Sequence, residues 1–252
     1  MTEPKHSARL LKLARTLGVP VEQLAYLAEV PDQDLREFRR QVADLFLDGQ
    51  EAGLHRVAQA ARVIPAPIIA KMVARNRSAL LAARMSGVLD PSHAVDVAKR
   101  LPVDLLADIA ALLDPRHSAA IIGGLPEATI VTIGKELAAR ADWITLGDLM
   151  ASISDPAARA TTAALDGLAL VRTAVLVDDA TDLKRFANLA AEDKLVEMLH
   201  AAAGHDLWSE YHSTLDVLPD SAVVTIRAAA EELPTAQRER ALTEIADRRS
   251  AS

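Results

Sequence analysis

The chain has 252 residues, half of them hydrophobic but only 3% aromatic, with no cysteine and a formal charge of −7. The missing cysteine excludes disulfides, thiolate metal sites, iron–sulfur clusters and thiol nucleophiles, and the negative charge argues against a surface built to neutralise phosphates, so no nucleic-acid partner is expected. No window holds the roughly 18 consecutive apolar residues of a membrane span, and MTEPKHSARLLKLARTLG lacks the apolar run and cleavage site of a signal peptide, so the expectation is a cytoplasmic, bacterial-type protein with an aliphatic core.

Residues 1–64 read as a less regular helical N-terminal cap, with helices at about Ser7–Leu17, Val21–Ala28 and Asp34–Leu47 and further helix through Val63. LLKLARTLGVPVEQLAYLAEVPDQDLREFRRQV has the rhythm of a helix-turn-helix, with Gly18 at the turn. Residues 1–50 nevertheless carry seven Lys or Arg against eight acids, without the positive excess of a DNA-binding module. Pro65 and Pro67 restart the chain.

Residues 65–203 form a short-helix repeat region. LDPSHAVDVAKRLP, beginning at Leu89, returns 24 residues later as LDPRHSAAIIGGLP, beginning at Leu113. Leu89, Leu101, Leu113, Leu125 and Leu137 stand at intervals of twelve; the beat then slips by four and resumes at Ala141, Ile153, Leu165, Val177, Leu189 and Ala201. Helix punctuation falls in the same places, at Asp90-Pro91, Pro102, Asp114-Pro115, Pro126, Asp142, Ser154-Asp155-Pro156 and Asp178. Asp at an N-cap accepts from the first free amides, and Pro at the first helical position needs no donor.

Between the marks the spacing is helical. In PVDLLADIAALL, Leu105, Ile109 and Leu112 form one row and Leu106, Ala110 and Leu113 the next, while Asp104 and Asp108 take the remaining stripe. About two thirds of the circumference is apolar, so such a helix needs neighbours on both flanks. ATIVTI, from Ala128, is the one β-branched run, and its frame of Pro126 before and Gly134 after predicts helix. Links of one or two residues then predict an all-α, right-handed stack of short antiparallel helices, an α-solenoid or helical superhelix.

LPVDLLADIAALLDPRHSAAIIGGLP, from Leu101 through Pro126, resembles the helical repeats of the intracellular N-terminal domain of MgtE-type magnesium transporters, and those of the flagellar motor protein FliG. The resemblance spans roughly Leu89 to Ala201 and implies a helical superhelix and, beyond it, magnesium sensing through acidic residues. The transporter's regulatory module and membrane domain have no counterpart here, so transport is not implied.

Residues 204–252 form a C-terminal helical cap and tail, with helices at Asp206–Val217, Asp220–Glu232 and Thr235–Arg248; the three parts make one continuous domain. HAAAGHDLWSEYH, His200 to His212, is the richest cluster of titratable and aromatic side chains. With Asp206 as N-cap, Trp208 and His212 lie one turn apart with Tyr211 beside them. His205, Trp208, Tyr211 and His212 are therefore a candidate ligand or partner patch; the competing reading is a hydrogen-bonded plug closing the end of the stack.

No other motif points to chemistry. His93 and His117 sit in equivalent helices at least roughly 8–10 Å apart, too far to share a metal whose ligands lie about 2 Å away; both read as helix-start residues on a solvated face. Gly123-Gly124 lacks the Lys-Ser or Lys-Thr of a phosphate loop and reads as a C-cap at a close helix crossing. Without a catalytic motif, the expectation is no enzyme, no cofactor and no metal, but a non-catalytic helical-repeat binding or scaffold protein engaging a protein or peptide partner. The alternative is a carrier of an apolar small molecule or lipid, held in a chamber enclosed by the superhelix, because the large rings that would fill a wide centre are scarce.

Overall fold

Aspartate and proline set the helix starts. In the computed structural model, which describes residues 7–48, 63–86, 89–113, 115–177 and 179–248, Asp90 accepts from the amides of Ser92 and His93 at 3.1 and 3.3 Å, with Pro91 opening the helix. Asp142, Asp166 and Asp179 accept in the same way from Thr145, Ala169 and Thr181. Each carboxylate satisfies amides that lack an intrahelical partner and sits at the positive end of the helix dipole. Pro102, Pro126, Pro219 and Pro234 hold the position before a helix.

Among the described residues all regular structure is helical. The N-terminal part comprises α1 (Ala8–Leu17), a 3-10 helix (Val21–Leu27) and α2 (Asp32–Asp48). There follow α3 (Ala66–Asn76), α4 (Ala79–Ser86), α5 (Pro91–Ala98), α6 (Val103–Ala110), α7 (Pro115–Gly124), α8 (Glu127–Ala139), α9 (Trp143–Ser152) and α10 (Asp155–Ala164). The chain continues with α11 (Gly167–Ala174), α12 (Ala180–Leu189), α13 (Glu192–His205), α14 (Trp208–Leu215), α15 (Asp220–Glu231) and α16 (Thr235–Asp247). ATIVTI lies in α8, as its frame predicts. Within these residues no helix is long and apolar enough to cross a membrane.

Helices α5 to α8 begin at Pro91, Val103, Pro115 and Glu127, twelve residues apart, and α9, α10 and α11 at Trp143, Asp155 and Gly167. The four-residue slip is one extra turn: α8 has 13 residues where α5 and α6 have 8. Four residues are close to the 3.6 of a turn, so the apolar face stays in phase. Helix α13, with 14 residues, does the same. The extra turns end at Ala141 and Asp206, both left-handed at φ 54°.

From α3 onward each helix packs on the next but one. Helices α3, α5, α7, α9, α11, α13 and α15 make one row, and α4, α6, α8, α10, α12, α14 and α16 the other. Close crossings need glycine at three positions, Gly134 among them, where a Cβ would lie 2.8 Å from Thr161 Cγ2. A Cβ at Gly124 would lie 2.8 Å from Val95 Cγ2, and one at Gly167 would overlap the Glu197 carbonyl of α13.

The core is not uniform along the rows. From α6 to α16 one hydrophobic cluster is continuous and includes Leu106, Ile122, Leu146, Leu199, Trp208, Tyr211 and Ile226. Toward α3 it divides, with Ala83, Leu105 and Ile109 on one side and Ala94, Val95 and Ile121 on the other. The N-terminal helices keep their own core of Leu10, Leu13, Ala14, Leu24 and Leu35.

Several expectations are corrected. Leu112 is exposed because α6 ends at Ala110, before its row is complete. Leu113, at the edge of the divided core, is half-buried. The segment after Gly18 is a 3-10 helix. Asp206 is not the N-cap of α14 but the left-handed residue that ends α13. His93 is half-buried, its Nε2 buried without a hydrogen-bond partner, rather than set on a solvated face. Asp114, Asp178, the side chain of His117 and the helix expected just before Val63 lie outside the described residues.

Candidate functional site

Where the core divides, a cavity of about 760 Å³ lies between the two rows, lined by residues of α3 to α9. The local sequence explains the space. Its inward positions are filled by branched aliphatics such as Ile109, Ile122 and Ile133 and by small residues such as Ala82, Ala94, Ala98 and Ala110. No aromatic residue occurs from 47 to 142, so nothing is large enough to bridge the rows. In the C-terminal half, Phe186, Trp208 and Tyr211 supply that bulk, and a second void there measures only about 40 Å³.

The volume falls within the roughly 300–1,000 Å³ of small-molecule pockets, which are mostly apolar with a few placed polar groups. Arg75 and Asp148 are the charged residues among the described lining, with Asn76, Ser78, Ser86 and Thr145 as the polar ones. Asp148 is neutralised locally: Lys12 of α1 donates to its Oδ1 at 2.7 Å. Burial pushes the Lys12 ammonium below its usual range, and Asp148 restores it only in part.

At the start of α9 a second contact fixes α1. Arg15 donates to both Asp142 oxygens, at 2.5 and 3.0 Å, and to Thr145 Oγ1 at 2.7 Å. Burial alone would raise the Asp142 carboxyl, but the hydrogen bonds from Arg15 and Thr145 outweigh it and hold the group below its ordinary value. Asp142 thus caps α9 and holds α1 at once, next to the polar wall of the cavity.

The four residues read from sequence as a patch are not presented as one surface. Trp208 and Tyr211 are buried in the continuous core, with the Tyr211 hydroxyl lacking a hydrogen-bond partner and its ionisation suppressed by burial. His205 is exposed at the end of α13. His212 is half-buried, its nitrogens 3.7 Å from Asp216 and 3.3 Å from Glu244. Arg240 of α16 lies over the Trp208 ring at 6.0 Å and pairs with Asp206 at 2.9 Å. Trp208 and Tyr211 are sealed by apolar packing of α14 against α11 and α13 rather than by a hydrogen bond from Tyr211.

The residues around the cavity are mostly ordinary core aliphatics, so none of them stands out in the sequence. The usable signal was the distribution of rings: their overall scarcity is less telling than their complete absence over one stretch. Among the described residues no group of three His, Asp or Glu is arranged to hold a metal. No protein-family model, curated protein or solved structure matches the chain.

Proposed function

We propose that the protein is a non-catalytic carrier of an apolar small molecule or a single acyl chain, held between the helix rows of a right-handed α-solenoid. The 760 Å³ aliphatic cavity carries this reading. At about 24 cal/mol per Å³, the cost of engineered cavities, a sealed dry void of this size would exceed the roughly 5–15 kcal/mol stability of an ordinary domain. The space is therefore occupied by a ligand or reached by solvent. A ligand burying about 300 Å² of apolar surface gains about 7 kcal/mol before the cost of association.

The protein-or-peptide reading rests on the helix periodicity, which gives a surface but no selected place on it. The cavity adds volume and lining. The likeness to MgtE-type repeats belongs to the same proposal, and only as architecture: magnesium sensing gains no support from the residues around the cavity, where one carboxylate, Asp148, is already paired with Lys12.

Organic extraction of the purified protein followed by mass spectrometry tests the proposal. One equivalent of an apolar compound per chain, lost on denaturation, supports it. A clean extract together with no uptake of a long-chain fatty acid overturns it.

A further inference from the structure

The first helices of the two rows expose several large apolar side chains. On α3, Ile68, Lys71, Met72 and Arg75 follow one another at helical spacing and form an exposed stripe. Ile68 and Met72 are 52% and 61% exposed, and on α4 Leu80 and Leu81 are 50% and 49% exposed. Such large apolar side chains, grouped rather than scattered, mark an interaction site.

Charge selects the partner. Residues 63–86 contain four cations, Lys71, Arg75, Arg77 and Arg84, and no acid, in a chain of formal charge −7. Arg77 is engaged with Asp104 of α6, which accepts from it at 2.5 Å, and Asp108 accepts from Arg140 at 2.6 Å, so Lys71 and Arg75 on the stripe are the cations that meet the partner. Cations interleaved with exposed Ile, Met and Leu are the pattern of segments that lie on anionic bilayers, where the apolar side chains enter the headgroup region and the cations meet lipid phosphates.

We infer that α3 and α4 dock on an anionic membrane surface. Met72, Arg75 and Leu81 belong both to this face and to the wall of the cavity, so docking places the cavity beside the lipid. That last step, the passage of a lipid chain into the cavity, rests on the carrier reading; the docking itself stands on the exposed residues alone.

Flotation of the intact protein with vesicles tests it. Vesicles of phosphatidylcholine mixed equally with phosphatidylglycerol are compared with pure phosphatidylcholine, at low and high salt. The expected result is binding to the anionic vesicles only, weakened by salt, and weakened at least about thirtyfold in Lys71→Glu/Arg75→Glu, since each cation near such a surface contributes about a factor of five. Met72→Ser/Leu81→Ser reduces binding at unchanged charge. All four positions are exposed or border solvent, and circular dichroism checks that the variants fold. Equal binding to neutral vesicles, no binding to either, or full binding by the charge-reversed variant overturns the inference. So does self-association through this face, read by sedimentation without vesicles. Because no step depends on bound ligand, failure here leaves the extraction test of the carrier reading intact, and the reverse holds.

Discussion

The Lys12 ammonium lies 2.7 Å from the Asp148 carboxylate, with its side chain only 1% exposed. Through this pair the N-terminal helices, whose hydrophobic core is their own, are joined to the wall of the cavity. Removing the charge opposite a buried ammonium is costly, whereas replacing the ammonium by an apolar group of similar length leaves a carboxylate that is 30% exposed and is met by water. Asp148→Asn should cost about 2–4 kcal/mol in urea unfolding, moderated by the exposure of Asp148, and Lys12→Met less than about 1 kcal/mol. Equal losses from the two variants would show that the pair does not join the two parts in this way.

The Arg15–Asp142 contact predicts an acid sensitivity. Asp142 is held below its ordinary value in the folded chain, so its contribution is fully present above the unfolded carboxylate value of about 3.9 and is lost as pH falls through the depressed folded value. Stability measured from neutral pH downward should drop in that window more steeply in the wild type than in Arg15→Ala, which removes the guanidinium. Parallel curves would contradict the assignment.

Gly167 packs against the Glu197 backbone, where a methyl group would collide with a carbonyl that cannot move aside independently of α13. Gly167→Ala should cost about 3 kcal/mol or more, as overpacking against backbone does. Gly204 provides the contrast, because a methyl group there would meet nothing within 4 Å. Gly204→Ala should stabilise by about 0.5–1 kcal/mol through helix propensity. Thermal unfolding of both variants measures the difference.

Tyr211 is fully buried and its hydroxyl has no hydrogen-bond partner. Tyr211→Phe should therefore hold or raise stability by about 1 kcal/mol, because it removes an unsatisfied polar atom without removing volume. A clear loss of stability would place a polar partner at that hydroxyl and revive the hydrogen-bonded plug.

Helix starts were legible because capping is local: Asp90 and Asp142 meet amides two or three residues away, so chain order alone reveals them. The slip of the beat was legible for a related reason, since one added turn changes the count but not the face. Leu112, Trp208 and Tyr211 were not. Whether Leu112 completes an apolar row depends on where α6 stops, and whether Trp208 and Tyr211 form a patch or a core depends on α14 packing against α11, a helix that ends more than thirty residues upstream. The cavity is a property of the spacing between rows, which no single helix encodes; only the run without rings hints at it.

Titration with a fluorescent long-chain fatty acid, comparing the wild type with Ala98→Phe, tests the central claim most directly. Ala98 is half-buried at the cavity wall, so a ring there narrows the space without opening the core. The account predicts saturable binding of one probe per chain in the wild type and weaker binding in Ala98→Phe at unchanged or higher thermal stability. Absence of saturable binding in the wild type, or undiminished binding in Ala98→Phe, would contradict it.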